Sequence, residues 1–178
     1  MNKTNKLAQI WVETAIYTLI GLTLIAIVLS SSLPQIEKIK DRETIKQTAI
    51  ALDKLNEKIL EVREAPSNLR VYGIVISKGK IEIIPENDLI IYKLENTRLQ
   101  FSEIGEKVKD GDLTIETQKY ASRYNIILTL SLSSKVNMTL NNLENNRTLQ
   151  PGGSQYNLKI YNNGTIDSTG RYIIDISL

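Results

Sequence analysis

The chain contains no histidine and no cysteine, and only one tryptophan and one phenylalanine. The first two absences remove most of the side chains that carry nucleophilic and metal chemistry. Neither a Ser-His nor a Cys-His pair can form, a zinc site would have to be built from carboxylates alone, and no disulfide can staple the fold. Net charge is scarce too. Twenty-two basic residues against 20 acidic ones leave +2 at neutral pH, so the broad positive field that nucleic acid requires is missing, and no nucleic-acid partner is indicated. At 178 residues there is room for one globular domain and an extension.

What is present is unevenly placed. Residues 1–8 form a basic, polar leader carrying Lys3 and Lys6. From Leu7 to Leu33 the only charged residue is Glu13, and the stretch from Thr14 to Leu33 has none. As a helix that stretch spans about 30 Å, the thickness of a bilayer's hydrocarbon core. Ile16, Leu19, Ile20, Leu22, Leu24, Ile25, Ile27, Val28 and Leu29 together lie on every face of it, so it must be buried in lipid or among other helices. Pro34 follows, and within a continuing helix it removes one hydrogen bond and favours a kink.

Beyond Pro34 the periodicity changes character. Ile45, Ala49, Leu52, Leu55, Ile59 and Val62 recur at steps of three or four among charged residues, which is one apolar stripe on an amphipathic helix. Ala65-Pro66-Ser67-Asn68 reads as its stop. From Leu69 the period becomes two. Strands are expected around Val71–Ile76, 81–84, 89–94, 113–117, 124–133, 136–140, 156–161 and 171–178, with Lys78-Gly79-Lys80, Pro151-Gly152-Gly153 and Asn162-Asn163-Gly164 as turns. Asn141 to Arg147 reads as a solvated loop. The expectation is an α+β chain. It has a leader (1–8), an apolar transmembrane or filament-core helix (9–34), an amphipathic helical extension (35–66) and an all-β, sandwich-like head (69–178).

Few residues invite a functional reading. Glu13 is a carboxylate inside an apolar run. At the bilayer centre such a charge costs about 2.5–3.5 kcal/mol, so it either finds a cation or sits at headgroup level in contact with water. Trp11 and Tyr17 read equally well as interfacial anchors and as contacts within a filament. Asn137, Asn146 and Asn163 each begin an Asn-x-Thr sequon, a possible N-glycosylation site. Lys3 and Lys6 favour a cytoplasmic N-terminus while Lys38, Lys40 and Arg42 pull the other way; the sequons tip the balance to an exported head. Asp110 and Asp112, like Glu82, Glu86 and Asp88, read as solvated turns and match no metal-loop spacing. No catalytic residue, metal site or cofactor is indicated, and the chain is not expected to be an enzyme.

A basic leader ending in a small residue, Ala8, then Gln9, then Glu13 five residues into the following helix, then an apolar run to Leu33 and Pro34, resembles an archaeal type IV pilin precursor. The resemblance covers roughly residues 1–64 in motif and the rest in architecture. It implies that a prepilin peptidase cuts between Ala8 and Gln9 on the cytoplasmic side. The helix would then rest in membrane lipid before packing with copies of itself in a surface filament, with Glu13 paired to the new amino group of its own or a neighbouring subunit. The residues alone leave a second reading open, a permanently anchored single-pass envelope protein with an exported adhesion or stator-like β-module.

Overall fold

The computed structural model describes residues 3–178, with side chains from Gln9 onward; Met1, Asn2 and the side chain of Ala8 at the expected cleavage site lie outside the described residues. One helix, α1 (Lys3–Arg63), precedes ten strands: β1 (Leu69–Ile74), β2 (Lys80–Ile84), β3 (Leu89–Thr97), β4 (Lys107–Asp110), β5 (Leu113–Tyr120), β6 (Arg123–Ser131), β7 (Asn137–Leu140), β8 (Arg147–Leu149), β9 (Tyr156–Ile166) and β10 (Tyr172–Ser177). The helix ends at Arg63, just before the expected stop at residues 65–68, and continues through Pro34. Two units divide the chain, Met1–Ile39 and Lys40–Leu178. The second holds the amphipathic part of α1 and all the strands.

Within that second unit the strands form two sheets, ordered β1-β9-β10-β7 and β4-β5-β6-β3-β2-β8. Every pairing is antiparallel except β7 with β10. The expected stripe on the helix is the centre of the core: Ile45, Leu52, Leu55, Ile59 and Val62 are all buried, and Ala49 is partly so. Against them pack Ile74, Leu158, Ile160, Ile174 and Ile176 from one sheet and Ile81, Ile90, Tyr92, Ile126, Leu128 and Leu130 from the other. The expected alternation in β6 holds, with Ile126, Leu128 and Leu130 inward and Asn125, Ile127 and Thr129 only half-buried. Burial pushes the Tyr92 phenol up to about 12, and its hydroxyl donates to the Lys78 carbonyl at 2.8 Å.

Three sequence expectations need correction. Asn162-Asn163-Gly164 is not a turn but lies inside β9. Asn163, Gly164 and Thr165 face only Ile173 across the pairing with β10, so the segment is a bulge, and Gly164 takes φ +84°. A Cβ there would sit 3.2 Å from Pro66. The loop read from Asn141 to Arg147 ends in β8, which buries Leu149 and pairs with β2. A strand unseen in the sequence, β4, pairs with β5 through four exposed residues that carry no apolar alternation.

Two polar clusters tie the helix to the sheets. Asp41, 3% exposed, accepts hydrogen bonds from Lys78 Nζ and Thr97 Oγ1, both at 2.5 Å. At the other end Asn162, fully buried, donates its amide to the carbonyls of Val62, Arg63 and Ala65 at 3.1, 3.2 and 3.3 Å, while Asn68 Nδ2 donates to the Glu61 carbonyl at 3.0 Å. These are the orphan carbonyls of a helix C-terminus, which need partners once water is excluded. A third cluster joins the two sheets. Asp88 accepts from Met138 N–H at 2.7 Å and from Arg171 Nη1 at 2.7 Å, and Arg171 also donates to Asp167.

Replacing Asn162 by Ala leaves buried carbonyls unpaired and should destabilise the β-domain by about 2 kcal/mol, read as a lower urea midpoint for the full chain in detergent; an unchanged midpoint would refute the capping role. The Thr169 hydroxyl, and after it the Arg171 backbone N–H, hold the Asp167 carboxyl well below the usual carboxylate range. A depressed folded-state pKa gives stabilisation that is complete above about pH 4, the unfolded value, and fades as pH falls further. The drop in melting temperature between pH 5 and pH 2 should therefore be smaller in Asp167→Asn than in the unaltered chain, and equal drops would exclude that contribution.

Candidate functional site

The site suggested by the sequence is a helix surface. Every large apolar side chain from Ile10 to Leu33 is at least 50% exposed, including Ile16, Leu19, Ile20, Leu24, Ile27 and Val28. Such a surface in water would forgo roughly 1.5–3 kcal/mol for each side chain that burial could cover. Among the described residues α1 is long and apolar enough to cross a membrane.

Hydroxyl chemistry along this run suits an apolar surrounding. Thr14, Thr18 and Thr23 donate to the carbonyls of Ile10, Thr14 and Leu19, one turn back, at 2.9, 2.8 and 2.8 Å. Ser30 and Ser31 donate to Ile27 and Val28, both at 2.9 Å. Each of these hydroxyls is satisfied within the helix, which removes the cost of taking it out of water. Composition alone marks them as polar interruptions; the back-bonding is visible only once the helix is built.

Glu13 lies on the face it shares with Gln9, Val12, Ile16 and Tyr17, the spacing of neighbours one turn apart, and these five side chains line one open groove. No cation among the described residues stands within ion-pair distance of Glu13. Trp11 and Tyr17 are 78% and 65% exposed. Gln9 is helical and exposed, so the backbone of the expected cleavage site lies within α1.

The three sequons fall in different settings. Asn146 is exposed in the segment leading into β8. Asn163 is exposed on the β9 bulge, its Oδ1 accepting from the Thr165 N–H at 2.9 Å and from the Thr165 hydroxyl. Asn137 is half-buried at the start of β7 and donates Nδ2 to Asp167 at 3.2 Å, so the nitrogen a glycan would need is engaged. Three of the carboxylates that read as solvated turns have partners of their own. Asp112 accepts from Asn56 at 2.7 Å and from Lys135, Glu82 is paired with Lys80 and Lys93, and Asp88 is held by Met138 and Arg171. These three acidic residues thus stand in separate ion pairs, and Asp88 in particular is buried. Comparison of the chain with protein-family models, with curated proteins and with solved structures found no match.

Proposed function

We propose that this chain is a structural subunit of an archaeal type IV pilus-like surface filament, that it assembles through the N-terminal part of α1, and that it has no catalytic role. The observation that carries the reading is the all-round exposure of the apolar side chains from Ile10 to Leu33, with one carboxylate, Glu13, among them. A helix of this kind stays in lipid or bundles with its own copies, and identical subunits joined head to tail without closure form a helical filament. Glu13 then meets the amino group of a mature chain beginning at Gln9, its own or a neighbour's. Pro34, inside α1, removes one backbone hydrogen bond and favours a kink just beyond the apolar run. The β-domain faces the cell exterior, where Asn146 and Asn163 offer accessible amides for glycans.

A second reading, a permanently anchored envelope protein, draws on the exposed rings of Trp11 and Tyr17, which suit a membrane interface. Mass spectrometry of the N-terminus after expression with an archaeal prepilin peptidase separates the two. A chain starting at Gln9 is the expected result; an intact Met1, or loss of methionine alone, would leave the anchored protein as the better account. The role of Glu13 has its own test. Glu13→Ala should reduce filament yield at least about tenfold, the effect of losing 1.4 kcal/mol or more of subunit pairing, while leaving membrane insertion intact. Normal filament yield would remove Glu13 from the interface.

A further inference from the structure

The β3–β6 pairing breaks near its end. Leu94 pairs with Ile126 and Thr97 with Tyr124, so Glu95 and Asn96 together face the single residue Asn125. Asn96 takes φ +58°, a left-handed conformation that costs a residue with a Cβ about 1 kcal/mol or more. Next to it β5 and β6 meet in a two-residue turn, Ala121-Ser122, where Ala121 takes φ +53°. Between these two strained positions, on the outer face of the six-stranded sheet, lies an open cleft of about 300 Å³ lined by Glu95, Asn96, Tyr120 and Asn125. Bulges re-aim side chains, and backbone strain is kept where the surroundings over-determine it.

The lining has a definite chemistry. Tyr120 is 74% exposed, a large ring presented to water where nothing in the fold requires one. Asn125 Oδ1 accepts the Asn96 N–H at 3.0 Å, which sets the direction of its amide and turns the Nδ2 donors away from that bond. Glu95 is held by Lys80 at 3.1 Å, using only part of the acceptor capacity of its carboxylate. An aromatic face, a positioned amide and a fixed carboxylate within one small cleft match a ligand with an apolar C–H face and adjacent hydroxyls. The carboxylate disfavours phosphates and other anions, and Lys80 already supplies the cation that an amine would provide.

We infer that this cleft is a binding site for a neutral saccharide of one or two units, with Tyr120 under the C–H face of the ring and Glu95 and Asn125 bonded to its hydroxyls. The inference stands apart from the assembly reading, since it uses no residue of the N-terminal unit. The test is saturation-transfer difference NMR on the full chain in dodecylphosphocholine, a detergent without a sugar headgroup. The probes are the methyl glycosides of glucose, galactose, mannose and N-acetylglucosamine, with caffeine as a non-saccharide stacking control, each at about 10 mM to cover the roughly millimolar Kd of an open cleft. At least one glycoside should show transfer to its ring C–H protons. Tyr120→Ala should weaken that binding about tenfold or more, and Glu95→Gln should weaken it as well, whereas Tyr161→Ala on the other sheet should not. Absence of transfer to every glycoside, transfer to caffeine alone, survival of binding in Tyr120→Ala, or equal loss in Tyr161→Ala would each overturn the assignment. Because Tyr120 is so exposed, its removal leaves the fold intact, and an unchanged melting temperature verifies this.

Discussion

The β-domain depends on one packed helix surface. Ile45, Leu52, Leu55, Ile59 and Val62 of α1 belong to the same buried cluster as the inward side chains of both sheets, and all are essentially inaccessible, with Ala49 and Ala51 packed partly buried against it. Each sheet alone would expose an apolar face; a helix stripe set against them lets one cluster serve both. Such a stripe is free to slide or rotate unless something directional holds it. The directional groups sit at its two ends, Asp41 with Lys78 and Thr97, and Asn162 with the last carbonyls of the helix. Apolar contacts supply the area, and these polar pins supply the register.

Both pins are expensive if half-made. A buried carboxylate without its donors, or buried carbonyls without theirs, would cost more than the net gain of the hydrogen bonds themselves. Asn162 is satisfied on every side: its amide reaches the helix, its Oδ1 accepts the Gly164 N–H at 2.8 Å, and its backbone pairs with Ser67 and Asn68. The β9 bulge follows from this. To send Asn162 inward and still pair with β10, the strand takes up extra residues at once, and Gly164 accommodates the left-handed turn beside Pro66.

This explains what could and could not be read in advance. The helix stripe and the inward face of β6 were legible because burial there follows strict periods, 3.6 and 2, that the residues spell out. Asn162-Asn163-Gly164 was misread because asparagine and glycine tolerate positive φ in turns and bulges alike, and only the partner strand distinguishes the two. β4 escaped because an edge strand of exposed Lys107, Val108, Lys109 and Asp110 shows no buried face, and the two lysines suit an edge that must not recruit another strand. β8 was lost to its length of three residues and its asparagine-rich approach. Of the candidate site, the apolar helix and Glu13 were plain in composition. The Tyr120 cleft was not, because it arises from a register shift between strands far apart in sequence.

The same contrast separates the two candidate surfaces. On the apolar part of α1, Ile10 to Leu33, the chemistry is continuous and unspecific: apolar side chains on all faces and hydroxyls turned back on their own carbonyls leave almost nothing directional outside Glu13 and the groups near it. Lipid and a bundle of like helices satisfy such a surface equally well, so a chain can pass from one to the other without exposing it to water. The exchange proposed for this chain needs a single discriminating group, since a surface indifferent to its surroundings gives no reason to leave the membrane. In the proposed filament, Glu13 meets that requirement. A carboxylate is penalised in hydrocarbon and rewarded wherever a cation is brought to it, so it tilts an otherwise balanced choice toward whichever assembly supplies that charge.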